Sequence, residues 1–168
     1  LRGAETFCRD RDIEHVFVAT HELENDSFCE NPPDRCYLCK AGLMRAVIDA
    51  AHAHGIEHVI EGTNVDDESD YRPGAQAIVE LGVMSPLKEA GLAKSEIRDL
   101  SREKNLPTWD KPSFACLASR FAFGERISAE RLAVIDEAEQ FLLDKGFRQL
   151  RVRFHGPIAR IEVQEDEI

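Results

Sequence analysis

The chain has 168 residues, of which 43% are hydrophobic and 32% are charged, with a formal net charge of −11 and a pI near 5.0. This length suits one hydrophobic core with a small appendage. The acidic balance argues against a general nucleic-acid binder, because neutralising phosphates requires an excess of Lys and Arg over a continuous face. No apolar run approaches the roughly 20 residues of a membrane-spanning helix. We therefore expect a cytoplasmic protein without membrane or nucleic-acid partners, in which a local cluster of cations holds any anionic ligand.

The first part of the chain alternates between short β-branched apolar runs and segments in which apolar residues recur at helical spacing. Such alternation is typical of an α/β fold, in which flanking helices cover a parallel sheet. Gly55 suits the left-handed residue that closes a helix. We predict strands at residues 16–20 and 58–60, a strand or extended segment at residues 83–87, and helices at residues 36–54, 74–81 and 94–104.

The character of the chain changes after residue 106, where an extended segment bounded by prolines begins. A helix is predicted over residues 128–145, with Ser128 as its N-cap. Beyond it, polar and apolar side chains alternate on both sides of Gly156 and predict a hairpin, with strands at residues 149–155 and 158–163. This second part is a smaller α+β region.

These patterns divide the chain into two parts, a partial parallel-sheet domain over residues 1–106 and a partial α+β region over residues 107–168. Leu1 lies inside a predicted helix, and Ile168 directly follows a strand-like run. We therefore expect a piece of a larger protein.

Cys36 and Cys39 are two of five cysteines, an odd number that favours reduced, metal-bound or reactive thiols over a disulfide framework. The pair is one helical turn apart at the start of a predicted helix, where the helix dipole favours thiolate, the form that binds metals. A third thiol brought in by folding, Cys116, would leave a metal centre with one open position. A core cysteine pair and a redox dithiol are the alternatives for the CxxC spacing, and a buried small side chain is the alternative for Cys116.

Basic and acidic side chains in the second part indicate an anion site near Cys116. Arg120, four residues after Cys116, can stabilise a thiolate or hold an anionic substrate. Glu139 falls in the apolar stripe of the helix over residues 128–145, and a buried carboxylate needs a cation, a metal or a substrate opposite it. The predicted hairpin offers cations on one strand face, and a solvated outer face is the alternative for them; these cations are Arg151, Arg153 and His155.

Residues 61–67 form an acidic loop after the predicted strand 58–60, at the carboxyl edge of the sheet, where α/β folds bind ligands. Its carboxylates can hold magnesium or a ribose. Acidic turns of this type are common, so the pattern by itself is weakly specific.

Seven motifs occur in one order from about residue 14 to the end of the chain, and together they resemble the LarE family of ATP-dependent sulfur transferases, within the PP-loop pyrophosphatases. The motifs are Arg35-Cys-Tyr-Leu-Cys-Lys40, Glu61-Gly-Thr-Asn-Val-Asp-Asp67, Asp70-Tyr-Arg-Pro-Gly74, Ser85-Pro-Leu-Lys-Glu-Ala-Gly91, Pro107-Thr-Trp-Asp-Lys-Pro112, Ala115-Cys-Leu-Ala-Ser-Arg120 and Arg151-Val-Arg-Phe-His155.

The resemblance implies a PP-loop fold and a transferase that uses ATP and Mg²⁺. ATP adenylylates a carboxylate of a pyridinium dicarboxylate mononucleotide, pyrophosphate leaves, and a sulfur atom attacks to give the thiocarboxylate. The product serves the biosynthesis of the nickel-pincer nucleotide of lactate racemase. The resemblance further implies a small-molecule nucleotide substrate, a separate sulfur donor, and a homo-oligomer.

The resemblance also assigns roles to residues. Family members with one cysteine sacrifice the sulfur of the residue matching Cys116, whereas members with three are thought to hold a [4Fe-4S] cluster that carries an extra sulfide. The three-cysteine type implies that Cys36, Cys39 and Cys116 bind the cluster and are catalytic. Substrate would be bound by Arg120, Glu139, Arg151 and Arg153. Nucleotide would be bound by Gly62, Thr63, Asn64, Asp70, Tyr71 and Arg72.

One motif of the family, the Ser-Gly-Gly-x-Asp-Ser loop that cradles pyrophosphate, is absent from the 168 residues. This chain by itself is therefore not expected to activate ATP. Two alternatives remain open: another PP-loop synthetase or tRNA thiolase, against which the acidic charge speaks, and a non-catalytic module in which the thiols bind a structural metal.

Overall fold

The computed structural model describes residues 2–69 and 72–168. Most of this part is helical, and none of its helices is long and apolar enough to cross a membrane. The α-helices are α1 (Arg2–Arg9), α2 (Asp26–Cys29), α3 (Arg35–Ala53), α4 (Pro73–Glu80), α5 (Pro86–Glu89), α6 (Lys94–Glu103) and α7 (Ala129–Asp144). The strands are β1 (Arg151–His155) and β2 (Ile158–Glu162), and short 3-10 helices span Glu22–Glu24, Val65–Ser69, Leu117–Arg120 and Glu165–Glu167.

The predicted helices are confirmed within one or two residues at each end. Helix α3 is followed by Gly55 at φ 73°, and α7 is followed by Gly146 at φ 103°. A glycine adopts this left-handed conformation without the steric cost that a Cβ would add, so it ends a helix efficiently. Local sequence patterns therefore place the helices of this chain well.

Of the predicted parallel strands, residues 58–60 and 83–87 meet in a parallel bridge between Ile60 and Met84. The Met84 N–H donates to the Val59 carbonyl at 3.0 Å, and the Glu61 N–H donates to the Met84 carbonyl at 2.9 Å. The strand predicted at residues 16–20 is wrong for the described part of the chain, because no neighbouring strand there supplies it with hydrogen-bond partners. Pro86 starts α5 and ends the extended segment early. The PP-loop architecture stays a prediction.

Two groups of buried side chains form the core among the described residues. Met44, Ile78 and Val83 pack α3 against α4. The other group combines residues from both sides of the predicted boundary at residue 106, so α2 and the second part of the chain share one core; its members are Phe28, Cys29, Ala118, Phe121, Ile127 and Ile135.

The hairpin is confirmed, with β1 and β2 paired antiparallel and Val152 opposite Ile161. Val152 is buried, and Phe154 packs against the core group that contains Phe121. The rings of Phe121 and Phe154 lie 5.5 Å apart. The hairpin therefore lies beside the turn that follows Cys116.

Helix α7 begins at a side-chain cap, since the Ser128 hydroxyl accepts a hydrogen bond from the Arg131 N–H at 3.3 Å. We expect Ser128→Ala to lower the free energy of unfolding by about 1 kcal/mol, because it leaves one N–H of the first turn without a partner. Urea denaturation measures the change. Asp136→Ala, at an exposed position in the middle of the same helix, is the control, and an equal effect of both substitutions would contradict the capping role.

Candidate functional site

The three predicted cluster cysteines lie on two elements that pack together. Cys36 is the second residue of α3 and is exposed, while Cys39, one turn further, is half-buried. Cys116 is exposed and directly precedes the 3-10 helix Leu117–Arg120. Cys39 and Leu117 both pack against the core group that contains Ala118. The fold therefore brings residues about 80 positions apart in sequence, one on each element, to a common core group.

The electrostatics of Cys39 differ from the prediction. Burial raises the pKa of the Cys39 thiol, and the negative charges of Glu22, Cys116 and Cys36 raise this pKa further, against an opposing contribution from Arg35. The pKa of Cys39 therefore shifts in the direction opposite to the one that the helix dipole favours, since desolvation disfavours the charged form. The same interactions identify Cys36 and Cys116 as electrostatic neighbours of Cys39.

Arg35 connects the two cysteine-bearing elements. Its side chain is buried, and its Nη1 donates to Asn31 Oδ1 at 2.5 Å and to the Ala118 carbonyl at 2.8 Å. Its Nη2 contacts Cys36 Sγ at 3.9 Å. Asn31 in turn is fully buried and donates to the Ala122 carbonyl at 2.6 Å. One guanidinium thus joins the first turn of α3 to the turn after Cys116.

A cavity of about 570 Å³ opens between α3, α4 and the loop after Ile60. Its size is in the range of small-molecule sites in proteins. Helices α3 and α4 approach closely here. A Cβ added at Gly74 would lie only 3.2 Å from the Cys36 carbonyl oxygen, so the absence of a side chain at Gly74 permits this approach. The polar residues that line the cavity include three cations and one of the predicted cluster cysteines: Cys36, Lys40, Thr63, Asp67, Arg72 and Lys88. Cys39 instead lines a separate cavity of about 260 Å³.

The predicted nucleotide loop is held by its own side chains. The Thr63 N–H donates to Glu61 Oε1 at 3.1 Å, and the Ser85 hydroxyl donates to the same oxygen at 2.5 Å. Burial alone would raise the pKa of Glu61, but hydrogen bonds from Ser85 and Thr63 and the charge of Lys40 lower this pKa overall. Glu61 therefore orders the loop at the edge of the cavity as an ionised carboxylate.

The remaining predicted nucleotide residues differ in their surroundings. Asn64 is buried, its N–H donates to Asp67 Oδ2 at 3.0 Å, and Gly62 is exposed beside it. Arg72 pairs with Asp67 Oδ1 at 2.8 Å and lines the cavity. The structure thus places Thr63 and Arg72 at one cavity. Two further predicted nucleotide residues, Asp70 and Tyr71, lie outside the described residues.

Arg120 and Glu139 form a buried ion pair. Arg120 is 2% exposed and Glu139 is 7% exposed, and two hydrogen bonds of 2.7 and 2.8 Å join the guanidinium to the two carboxylate oxygens. Arg120 Nη1 also donates to the carbonyls of Ala115 and Cys116, at 2.9 and 3.2 Å. Glu139 Oε1 accepts from the Val152 N–H at 2.8 Å. The cation opposite Glu139 is therefore Arg120 and not a hairpin arginine, and the pair anchors the backbone at Cys116.

The basic face of β1 has the predicted alternation. Arg151 and Arg153 are half-buried and His155 is exposed. Arg153 donates to Glu162 Oε1 at 2.7 Å and to the Ser119 carbonyl at 3.2 Å, so it contacts the turn that follows Cys116. Substrate binding by the four residues Arg120, Glu139, Arg151 and Arg153 stays a prediction.

Cys29 has the surroundings of a structural thiol. Cys29 is buried, and its thiol donates to the Leu23 carbonyl at 3.3 Å. Within residues 2–69 and 72–168, no three Cys, His, Asp or Glu side chains lie close enough together to hold a single metal ion.

Several residues of the site had no assigned role in the sequence analysis. These are Asn31 and Arg35, which join the two cysteine-bearing elements, and Lys40 and Lys88, which line the cavity. Arg35 and Lys40 flank the CxxC pair in one of the quoted motifs, and this position is the sequence feature that could have indicated their role. Their contacts span up to 83 residues of sequence, so periodicity does not reveal them.

Comparison with known proteins adds three relatives, and no protein family model matches the chain. The chain is 44% identical over all 168 residues to an uncharacterised protein of Synechocystis, of which it covers 63%. It is 38% identical over 146 residues to the pyridinium-3,5-bisthiocarboxylic acid mononucleotide synthase of Lactiplantibacillus plantarum, a match that covers 87% of the chain and 53% of the synthase. It is 34% identical over 144 residues to an uncharacterised protein of Methanocaldococcus jannaschii, with 86% of the chain and 56% of the relative covered.

The chain thus spans between 53% and 63% of the length of these relatives. The matched region contains both cysteine-bearing elements and the cavity, since the Synechocystis match runs over the whole chain. The similarity to the named synthase supports the LarE family, which is the family that the sequence motifs indicate.

Proposed function

We propose that this chain is part of an ATP-dependent sulfur transferase of the PP-loop type, which converts carboxylates of a pyridinium dicarboxylate mononucleotide to thiocarboxylates. The product would serve nickel-pincer nucleotide biosynthesis. The cavity of about 570 Å³ carries this proposal, because it combines the exposed thiol of Cys36 with the cations Lys40, Arg72 and Lys88. The name of the L. plantarum relative, a bisthiocarboxylic acid mononucleotide synthase, supports the product class.

The proposed reaction has two steps. A substrate carboxylate attacks the α-phosphorus of ATP and releases pyrophosphate, and a sulfur nucleophile then attacks the acyl carbon and releases AMP. Guanidinium and ammonium groups stabilise the phosphates in the first step. Thr63 and Arg72 on the cavity wall would hold the nucleotide, and Mg²⁺ would accompany its phosphates. Arg151 and Arg153 would bind the anionic groups of the substrate beside the Cys116 turn.

Cys36, Cys39 and Cys116 would each bind a different iron of a [4Fe-4S] cluster, because thiolates are the ligands of such clusters. Their proximity supports this assignment, since Cys36 and Cys116 both act electrostatically on the Cys39 thiol. When bound, such a cluster would supply an iron with an open position for an exchangeable sulfide. The cluster type would make turnover catalytic, whereas sacrifice of the Cys116 sulfur would limit each chain to one turnover.

Lys40→Met tests the cavity as the nucleotide site. We expect the affinity of the whole protein for ATP with Mg²⁺ to fall about 10- to 100-fold, because one charge-assisted contact contributes roughly 1.5–3 kcal/mol. Glu61 keeps its hydrogen bonds from Ser85 and Thr63 in this variant, so the loop remains ordered. Isothermal titration calorimetry measures the affinity.

Arg45→Met is the matched control, because Arg45 is an exposed cation on the same helix outside the cavity lining. Its ATP affinity is expected to equal that of the unchanged protein. Equal affinities of the two variants would overturn the assignment of the cavity.

The cytoplasmic location and the homo-oligomeric state of the protein stay predictions.

A further inference from the structure

The side chain of Arg35 joins the segment before α3 to the turn that follows Cys116. Its guanidinium is buried, at 5% exposure of the residue, and donates to one group on each side. A buried cation is costly unless its donors are satisfied, so a guanidinium in this position is held by the geometry of its acceptors. Those acceptors are the side chain of Asn31 and the carbonyl of Ala118.

The acceptors are themselves fixed. Asn31 is fully buried in the left-handed conformation at φ 55°, and its Nδ2 donates to the Ala122 carbonyl at 2.6 Å. The Asn31 carbonyl accepts from the Gly124 N–H at 2.9 Å, and the Cys29 carbonyl accepts from the Ile127 N–H at 2.8 Å. The segment before α3 is thus hydrogen-bonded to residues of the segment 118–127. Arg35 extends this row of hydrogen bonds to the first turn of α3.

The row of hydrogen bonds that includes Arg35 ends at the thiol of Cys36. Arg35 Nη2 lies 3.9 Å from Cys36 Sγ, while Nη1 of the same guanidinium holds the Ala118 carbonyl two residues after Cys116. A planar guanidinium has its donors in a fixed fork, so Nη1 and Nη2 can hold the Ala118 carbonyl and Cys36 Sγ at one separation, whereas the rotating ammonium of lysine lacks this fixed geometry.

We propose that Arg35 is a positioning residue of the three-thiol centre: it holds the Cys116 turn against the Cys36 and Cys39 turn of α3 and donates to the sulfur of Cys36. This inference rests on the proposed function, in which these three thiols act together. It assigns Arg35 no contact with substrate. Removal of the guanidinium is expected to separate Cys116 from the other two thiols while leaving the Cys36 to Cys39 distance unchanged, because that distance is internal to α3.

Arg35→Met in the whole protein, prepared without metal under anaerobic conditions, tests the inference. Dibromobimane links two nearby thiols covalently, and peptide mass spectrometry identifies the linked pair. We expect links from Cys116 to Cys36 or Cys39 to fall by about tenfold or more relative to the Cys36 to Cys39 link. After reconstitution with iron and sulfide, the affinity for iron is expected to fall about 10- to 100-fold, the usual effect of removing a group that orients a metal ligand.

Arg45→Met is the control on the same helix and is expected to match the unchanged protein in both measurements. If Arg35→Met does not fold, as judged by circular dichroism, Arg35→Lys replaces it, since it keeps the charge and loses the fork. Unchanged links from Cys116 in the folded variant would overturn the positioning role. If the unchanged protein forms the Cys116 links but binds no iron and sulfide, the proposed cluster is refuted and the positioning role stands. If the unchanged protein forms no Cys116 links, the cluster and the positioning role are both refuted.

Discussion

Cys116→Ala in the whole protein is expected to lower thiocarboxylate formation by more than about 1000-fold, a loss typical of removing an essential nucleophilic group. The thiol is exposed and the backbone of its turn is held by Arg120 and Arg35, so the substitution leaves the fold intact. Pyrophosphate release in the first turnover is expected to persist, because adenylylation precedes sulfur transfer. Mass spectrometry of the product and a pyrophosphate assay separate the two steps.

Cys8→Ala is the matched control for this prediction, because Cys8 lies on α1 and is not among the residues lining the described cavities. Its thiocarboxylate formation is expected to stay within about twofold of the unchanged protein. Multiple turnovers by Cys116→Ala would exclude the role given to Cys116 in both the cluster type and the sacrificial type. Loss of pyrophosphate release in the same variant would instead indicate a defect in nucleotide binding.

Glu139→Ala is expected to lower the free energy of unfolding by about 3–5 kcal/mol, because it leaves the Arg120 cation buried without its carboxylate. The Val152 N–H loses its acceptor as well, which removes this hydrogen bond between α7 and β1. Urea denaturation measures the change. The turn that carries Cys116 is expected to lose order in the same variant, and faster alkylation of Cys116 would report it.

Glu162→Ala is the control for the buried pair. Glu162 accepts from Arg153 and Arg160 at a position where its side chain is 35% exposed, and an ion pair of this kind contributes at most about 1 kcal/mol. Both variants remove one carboxylate, so the difference between their losses of stability reports the effect of burying the ion pair. A loss below about 1 kcal/mol in Glu139→Ala would contradict the anchoring role of the pair.

For Glu139, the sequence predicts the burial of the side chain but not the residue that pairs with it. The position of Glu139 in an apolar stripe indicates burial and the need for a cation, and both are present. The sequence pattern offers the arginines of β1 as partners, whereas the partner in the structure is Arg120 on the 3-10 turn. A helical period encodes which side chains face inward, but it contains no information about which distant cation meets them.

Local pattern alone determined α3, α4, α6, α7 and the hairpin of this protein, because helix spacing, caps and strand alternation depend on residues close in sequence. Motif order alone indicated the family. Only the tertiary structure decided that Cys116 lies beside α3, that Arg35 joins the two, and that burial raises the pKa of Cys39. Each of these depends on packing between segments about 80 residues apart, where desolvation and hydrogen-bond geometry follow from the folded arrangement.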